Sequence, residues 1–75
     1  MANEYDVNDG CYGEIIGSCY SGVFLLLDNG QEAFSYELAN LAVHSRVVCT
    51  IKRLATENYK ILVRIDAVLE YGAAA

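Results

Sequence analysis

Cysteine and histidine side chains carry much of the catalytic and metal-binding chemistry of proteins, and this sequence has three cysteines and one histidine. Cys11, Cys19 and Cys49 form no Cys-x-x-Cys pair, and His44 has no second histidine beside it. Cys49 falls on an inward-facing position of its predicted strand, where a thiol behaves as a small apolar group. We therefore expect no disulfide framework, no metal site, no cofactor and no enzymatic activity.

The basic residues are the second group that could form a functional site, because they are concentrated in one part of the chain. Residues 1–45 hold seven acidic residues and no lysine or arginine, which gives a charge of −7. Residues 46–75 hold five basic and three acidic residues, which gives +2. The five are Arg46, Lys52, Arg53, Lys60 and Arg64. A fold that gathers them on one face attracts phosphates despite the net charge of −5. The alternative is charge scattered over a solvated strand pair.

Glycines divide the proline-free first half into segments of strand length, so the sequence predicts strands rather than helices. These strands would position the side chains described above. Asn29-Gly30 lies between two apolar segments and predicts a hairpin turn. Residues 47–52 and 59–65 are rich in β-branched residues and predict a second hairpin. Alternation places Cys49 inward and places Lys52 and Arg64 on a shared outer face.

A first strand near residues 12–19 brings the total to five. Leu38 and Leu41 are three residues apart and predict a short helical turn over residues 36–41, between strands 3 and 4. Closure removes the exposed edges of so small a sheet. We therefore predict an all-β fold, a closed five-stranded barrel rather than an open meander.

The chain reads as one domain with two irregular ends. We predict a flexible acidic N-terminal segment over residues 1–9, a single barrel over residues 10–71 and a frayed C-terminal tail over residues 72–75. The longest apolar run, residues 23–27, is far shorter than the roughly 20 residues of a membrane helix. The acidic N-terminus lacks a signal-peptide pattern. We expect a cytoplasmic protein without a membrane partner.

Residues 13–65 resemble the ribosomal S-one type RNA-binding domain, a five-stranded barrel of the oligonucleotide/oligosaccharide-binding (OB) fold. The family pattern is Gly-x-Val, then Phe-Gly-Ala-Phe-Val eight residues after that glycine, Gly-x-x-Gly-Leu-Val-His, Gly-x-x-Val-x-Val-x-Val and a closing strand. The matching pieces here, in the same order, are Gly-Glu-Ile at 13–15, Ser-Gly-Val-Phe-Leu at 21–25, Gly-Gln-Glu-Ala-Phe-Ser-Tyr at 30–36, 44–51 and Lys-Ile-Leu-Val at 60–63.

The resemblance implies a face on which bases stack. The second platform aromatic of the family is kept as Phe24, the family's histidine is replaced by Tyr36, and the basic residue of the last strand is kept as Lys60. Ser21 replaces the first aromatic, and His44 replaces the glycine before strand 4. Phe34 matches a family leucine and is predicted to lie in the core.

Exposed rings beside a few cations are sufficient for a weak single-strand site. We predict that Tyr20, Phe24 and Tyr36 stack on bases while Lys52, Lys60 and Arg64 hold phosphates. The predicted function is weak, salt-sensitive binding of single-stranded or structured RNA. The alternative is a protein-interaction module whose acidic surface meets a basic protein. The oligomeric state is left open.

Overall fold

The fold is a closed barrel of five β-strands. In the computed structural model, residues 4–37 and 41–72 of the 75-residue chain are described. The strands are β1 (Gly10–Cys19), β2 (Gly22–Leu27), β3 (Glu32–Ser35), β4 (Arg46–Arg53) and β5 (Ile61–Glu70). The prediction of an all-β, five-stranded closed barrel is confirmed.

The strands follow the order β1-β2-β3-β5-β4, and β4 closes the barrel onto β1. All pairings are antiparallel except that of β3 with β5, which is parallel. β1 pairs on both sides and changes register between Ile15 and Gly17, which is the bend of a β-bulge. Closure therefore depends on one long, bent first strand and one short parallel contact.

The helical turn predicted between strands 3 and 4 is not seen. Tyr36, Glu37 and Leu41 carry no helix, and residues 38–40 lie outside the described part of the chain. A single turn fixes several dihedral angles for one hydrogen bond, so its formation is unfavourable without further stabilising contacts.

The core follows the period-two alternation of the strands. Among the described residues its buried members are Cys11, Ile15, Val23, Leu25, Leu27, Ala33, Val47, Cys49, Ile51, Ile61 and Val63. Phe34 is absent from this core, so the prediction that it is a core residue is wrong. Ala33 and Ser35 are buried on β3, and strand geometry therefore turns the Phe34 ring to the outer face, where it is half-buried.

The predicted Asn-Gly hairpin is present between β2 and β3. Gly30 has a φ of 90°, in the left-handed region that glycine enters without steric cost. The Asn29 side chain accepts a hydrogen bond from the Gln31 backbone N–H, at 3.0 Å. The β2–β3 register follows from this turn and pairs Phe24 with Phe34.

The N-terminal residues of the described chain lie along β4. The Asn8 N–H donates to the Ile51 carbonyl, and the Ile51 N–H donates to the Asp9 carbonyl. The Tyr5 hydroxyl donates to the Asp28 carboxylate, and this hydrogen bond raises the pKa of Tyr5. Residues 1–3 and 73–75, which belong to the predicted flexible ends, are outside the described residues. The described residues include no helix with the length and apolarity to cross a membrane.

His44 occupies a backbone conformation that suits glycine. Its φ is 74°, and its ring Nδ1 lies 3.0 Å from the Glu14 carboxylate in an exposed pair. A left-handed conformation costs a residue with a Cβ about 1–2 kcal/mol, whereas glycine adds about 0.4–1 kcal/mol of unfolded-state entropy. We expect His44→Gly to raise the free energy of unfolding by about 0.5 kcal/mol, measured by urea denaturation.

His44→Ala is the matched control, because it removes the same exposed contact with Glu14 and keeps the Cβ. We expect the alanine variant to be no more stable than the wild type. A glycine variant less stable than the alanine variant would show that backbone strain at this position is negligible.

Candidate functional site

A row of outward side chains crosses four strands of the barrel. Phe24 pairs with Phe34 across β2 and β3, Phe34 pairs with Leu62 across β3 and β5, and Leu62 pairs with Arg53 across β5 and β4. The row forms the floor of a groove of about 190 Å³. Tyr36, Asn58, Tyr59 and Lys60 complete its lining. We call this surface the aromatic groove.

Three rings in the aromatic groove contact one another in series. The ring centroids of Phe24 and Phe34 are 5.1 Å apart at an interplanar angle of 58°. Those of Phe34 and Tyr36 are 4.9 Å apart and nearly perpendicular, at 83°. The first pair is tilted and the second is edge-to-face, and contacts at these distances hold the rings in place. Phe24 and Phe34 are half-buried and Tyr36 is 61% exposed, so the outermost ring is the most available to a ligand.

Gly22 makes room for this arrangement. A Cβ on Gly22 would lie 2.8 Å from Cζ of Phe34 and 2.0 Å from the Ser35 carbonyl oxygen. The Phe34 ring therefore lies over the backbone of β2 at the one atom position that any other residue would fill. Gly22 therefore contributes to the site indirectly, because the absence of a side chain lets the Phe34 ring take its place in the groove.

The β4–β5 loop supplies a fourth ring, which contacts a cation at the end of β4. The Thr56 hydroxyl accepts hydrogen bonds from the Asn58 and Tyr59 backbone N–H groups, and the Thr56 N–H donates to the Tyr59 carbonyl at 2.9 Å. The guanidinium carbon of Arg53 lies 5.0 Å from the centroid of the Tyr59 ring, a cation–π contact. The loop thus holds Tyr59 opposite the series of three rings.

Lys60 is the second cation of the aromatic groove. Its Nζ lies 2.5 Å from Oε2 of Glu32, and the two side chains are 47% and 54% exposed. Exposed pairs of this kind contribute about 0.2–1 kcal/mol to stability. The pair is therefore easily opened, and Lys60 can exchange its carboxylate partner for another anion.

The structure brings together half of the six residues predicted for binding. Phe24, Tyr36 and Lys60 line the aromatic groove. Tyr20 lies in the β1–β2 turn and is 96% exposed, outside the groove lining. Lys52 and Arg64 are exposed on β4 and β5 and also lie outside that lining.

Arg64 already has an anionic partner. Its Nε donates to Asp66 at 2.8 Å, and the Thr50 hydroxyl donates to the same carboxylate. These two hydrogen bonds, that of Thr50 first, hold the pKa of Asp66 below its ordinary value. A phosphate at Arg64 would therefore compete with a carboxylate that stays charged at neutral pH.

The six residues predicted for binding did not include Arg53, Tyr59 and Phe34, which line the groove, although Arg53 was among the basic residues expected to attract phosphates. Tyr59-Lys60 is an aromatic-basic dipeptide at the end of a loop that begins just after Arg53. This pattern could have indicated that the loop contributes to a nucleic-acid-binding surface. Phe34 gave no such signal. A shift of one residue in the register of β3 would turn its ring inward, and the sequence does not determine that register.

A second groove, of about 330 Å³, is lined mainly by residues of β1, β2, β4 and β5 and shares no lining residue with the aromatic groove. Its lining includes Tyr12, Leu26 and Leu69, with Glu14 and Arg46 at its sides. It has one aromatic ring, so it offers no series of rings on which bases could stack.

Two of the three cysteines, Cys11 and Cys49, are buried with free thiols. Burial raises the pKa of both Cys11 and Cys49, which face each other across β1 and β4. Within residues 4–37 and 41–72, no three His, Cys, Asp or Glu side chains come together to hold a metal ion.

The comparisons with known proteins name no relative. A scan against protein families finds no match, and neither the curated proteins nor the solved structures contain a match to this chain.

Proposed function

We propose that this protein is a non-enzymatic module that binds single-stranded RNA weakly through the aromatic groove. The observation that carries the proposal is the convergence of Phe24, Phe34, Tyr36 and Tyr59 with two cations, Arg53 and Lys60, in one groove. Aromatic rings stack on unpaired bases of any sequence, and neighbouring cations hold the phosphates between them.

The strand order supports assignment of the barrel to the OB type. The run β4-β1-β2-β3 has the Greek-key order, and β5 completes a five-stranded barrel. In that fold the face of strands 2 and 3 and the loop between strands 4 and 5 bind oligonucleotides. The aromatic groove is built from the same elements. The glycine-like φ of His44, at a position where the S-one type family has glycine, supports the resemblance further.

The charges set an upper limit on affinity. Arg53 and Lys60 provide two phosphate contacts, whereas the whole chain carries −5. For single-stranded nucleic acid, two contacts give a slope of about −1.4 for log K against log salt. We expect affinity to fall about seven-fold between about 50 and 200 mM salt, measured by fluorescence anisotropy. A slope near zero would contradict the phosphate contacts.

The direct test is a titration of the ¹⁵N-labelled protein with a short mixed-sequence single-stranded RNA at low salt, followed by backbone amide NMR. We expect shifts at Phe24, Phe34, Tyr36 and Tyr59 that shrink as salt rises, and none at Tyr12 or Leu69 in the second groove. Absence of any shift at low salt would overturn the RNA-binding function.

A protein-interaction module is the second candidate, and a specific observation favours it. Lys60 and Arg64 are both paired with carboxylates, and the first 45 residues contain no lysine or arginine. A basic protein would find an acidic surface there. A parallel titration with a polylysine peptide separates the two candidates: shifts with the peptide and none with RNA would assign the protein to this second class.

A further inference from the structure

The ion pair of Glu32 and Lys60 lies where two grooves meet. Lys60 lines both the aromatic groove and a wider groove of about 490 Å³. Glu32 and Glu57 line the wider groove, on the β3 side and the β4–β5 loop side. A ligand that continues from the first groove into the second must pass the cation and its carboxylate partner.

We propose that the Glu32 carboxylate competes with a phosphate group of single-stranded nucleic acid for Lys60 and thereby limits the affinity of the aromatic groove. This inference rests on the RNA-binding function proposed above and assigns the residue that tunes it.

The geometry supports direct exchange. The Glu32 carboxylate lies 2.5 Å from the lysine Nζ, in the position that a phosphate oxygen would take. Both groups are anionic acceptors, and the lysine ammonium is a point charge that binds either without a fixed geometry. About half of each side chain is exposed, so the pair opens without disturbing the core.

Glu32 also lies on the path of a ligand that stacks on the rings. It is the first residue of β3, and its side chain shares the outer face with Phe34 and Tyr36. A nucleotide chain that places bases on those rings and follows the strand towards Lys60 brings its phosphates next to this carboxylate. The carboxylate and the phosphate therefore compete for the same lysine ammonium group.

The test is a double-mutant cycle on the full chain, with fluorescence anisotropy of a labelled, short mixed-sequence single-stranded RNA at low salt as the readout. We expect Glu32→Gln to lower the Kd about two- to five-fold and Lys60→Gln to raise it. In the Lys60→Gln background, Glu32→Gln should lose most of its effect, because the contested cation is gone.

Glu70→Gln is the matched control. It removes the same charge from an exposed position at the far end of β5. A gain equal to that of Glu32→Gln would show that net charge alone acts, and would overturn the inference.

The outcomes separate the inference from the function beneath it. If the wild type binds and Tyr36→Ala weakens binding, but Glu32→Gln leaves the Kd unchanged or keeps its full gain without Lys60, the inference alone is wrong. If no variant binds RNA at low salt, the proposed function and the inference both fail.

Discussion

Replacement of Tyr36 by alanine is expected to weaken RNA binding about 5- to 100-fold, because stacking contributes about 1–3 kcal/mol per base. Tyr36 is the outermost ring of the series and is 61% exposed, so its face is free for a base. Tyr59, also 61% exposed, lies on the other side of the groove, and Tyr59→Ala should have a similar effect. The measurement is the Kd for a short mixed-sequence single-stranded RNA by fluorescence anisotropy at low salt.

Tyr12→Ala provides a control of the same chemistry. Tyr12 is 58% exposed but lines the second groove, which shares no residue with the aromatic groove. All three substitutions remove an exposed ring, and those at Tyr36 and Tyr59 also remove a ring contact or a cation–π contact, so we expect each to lower the free energy of unfolding by no more than about 1.5 kcal/mol. Equal losses of affinity in all three variants would indicate that RNA does not use the aromatic groove.

Gly22→Ala is expected to destabilise the barrel by about 3 kcal/mol or more. The added Cβ would lie 2.0 Å from the Ser35 carbonyl oxygen, which is backbone, and 2.8 Å from Cζ of Phe34. Neither β2 nor β3 can move away without breaking their pairing next to Gly22, where Val23 opposes Ser35. A domain of this size has only a few kcal/mol of stability, so we expect a largely unfolded variant. Circular dichroism with urea denaturation measures the effect.

Gly10→Ala is the matched control for that variant. No atom lies within 4 Å of a Cβ built on Gly10, at the start of β1. We expect its unfolding midpoint to stay close to that of the wild type. Similar midpoints for the two alanine variants would contradict the close approach of β2 to β3.

Turns and alternation were readable from the sequence, because they depend on neighbouring residues. Asn29-Gly30 predicted the hairpin, and the inward positions of Cys49 and Ile51 followed from the period of two. The sequence predicted less accurately those features that depend on contacts between distant parts of the chain. The C-terminal half of β5, beyond residue 65, was not predicted, since its pairing with β4 is a contact between distant parts of the chain.

Sequence by itself determined that the chain forms short strands with one apolar face and that its cations lie in the second half. Only the tertiary structure decided which outward side chains meet. Arg53 reaches the aromatic groove because a register shift after Ile51 places it opposite Leu62, whereas strict alternation would have turned Lys52 outward and Arg53 inward. Phe34 reaches Leu62 through the parallel contact of β3 with β5. Such pairings join residues far apart in the chain, so no local pattern encodes them.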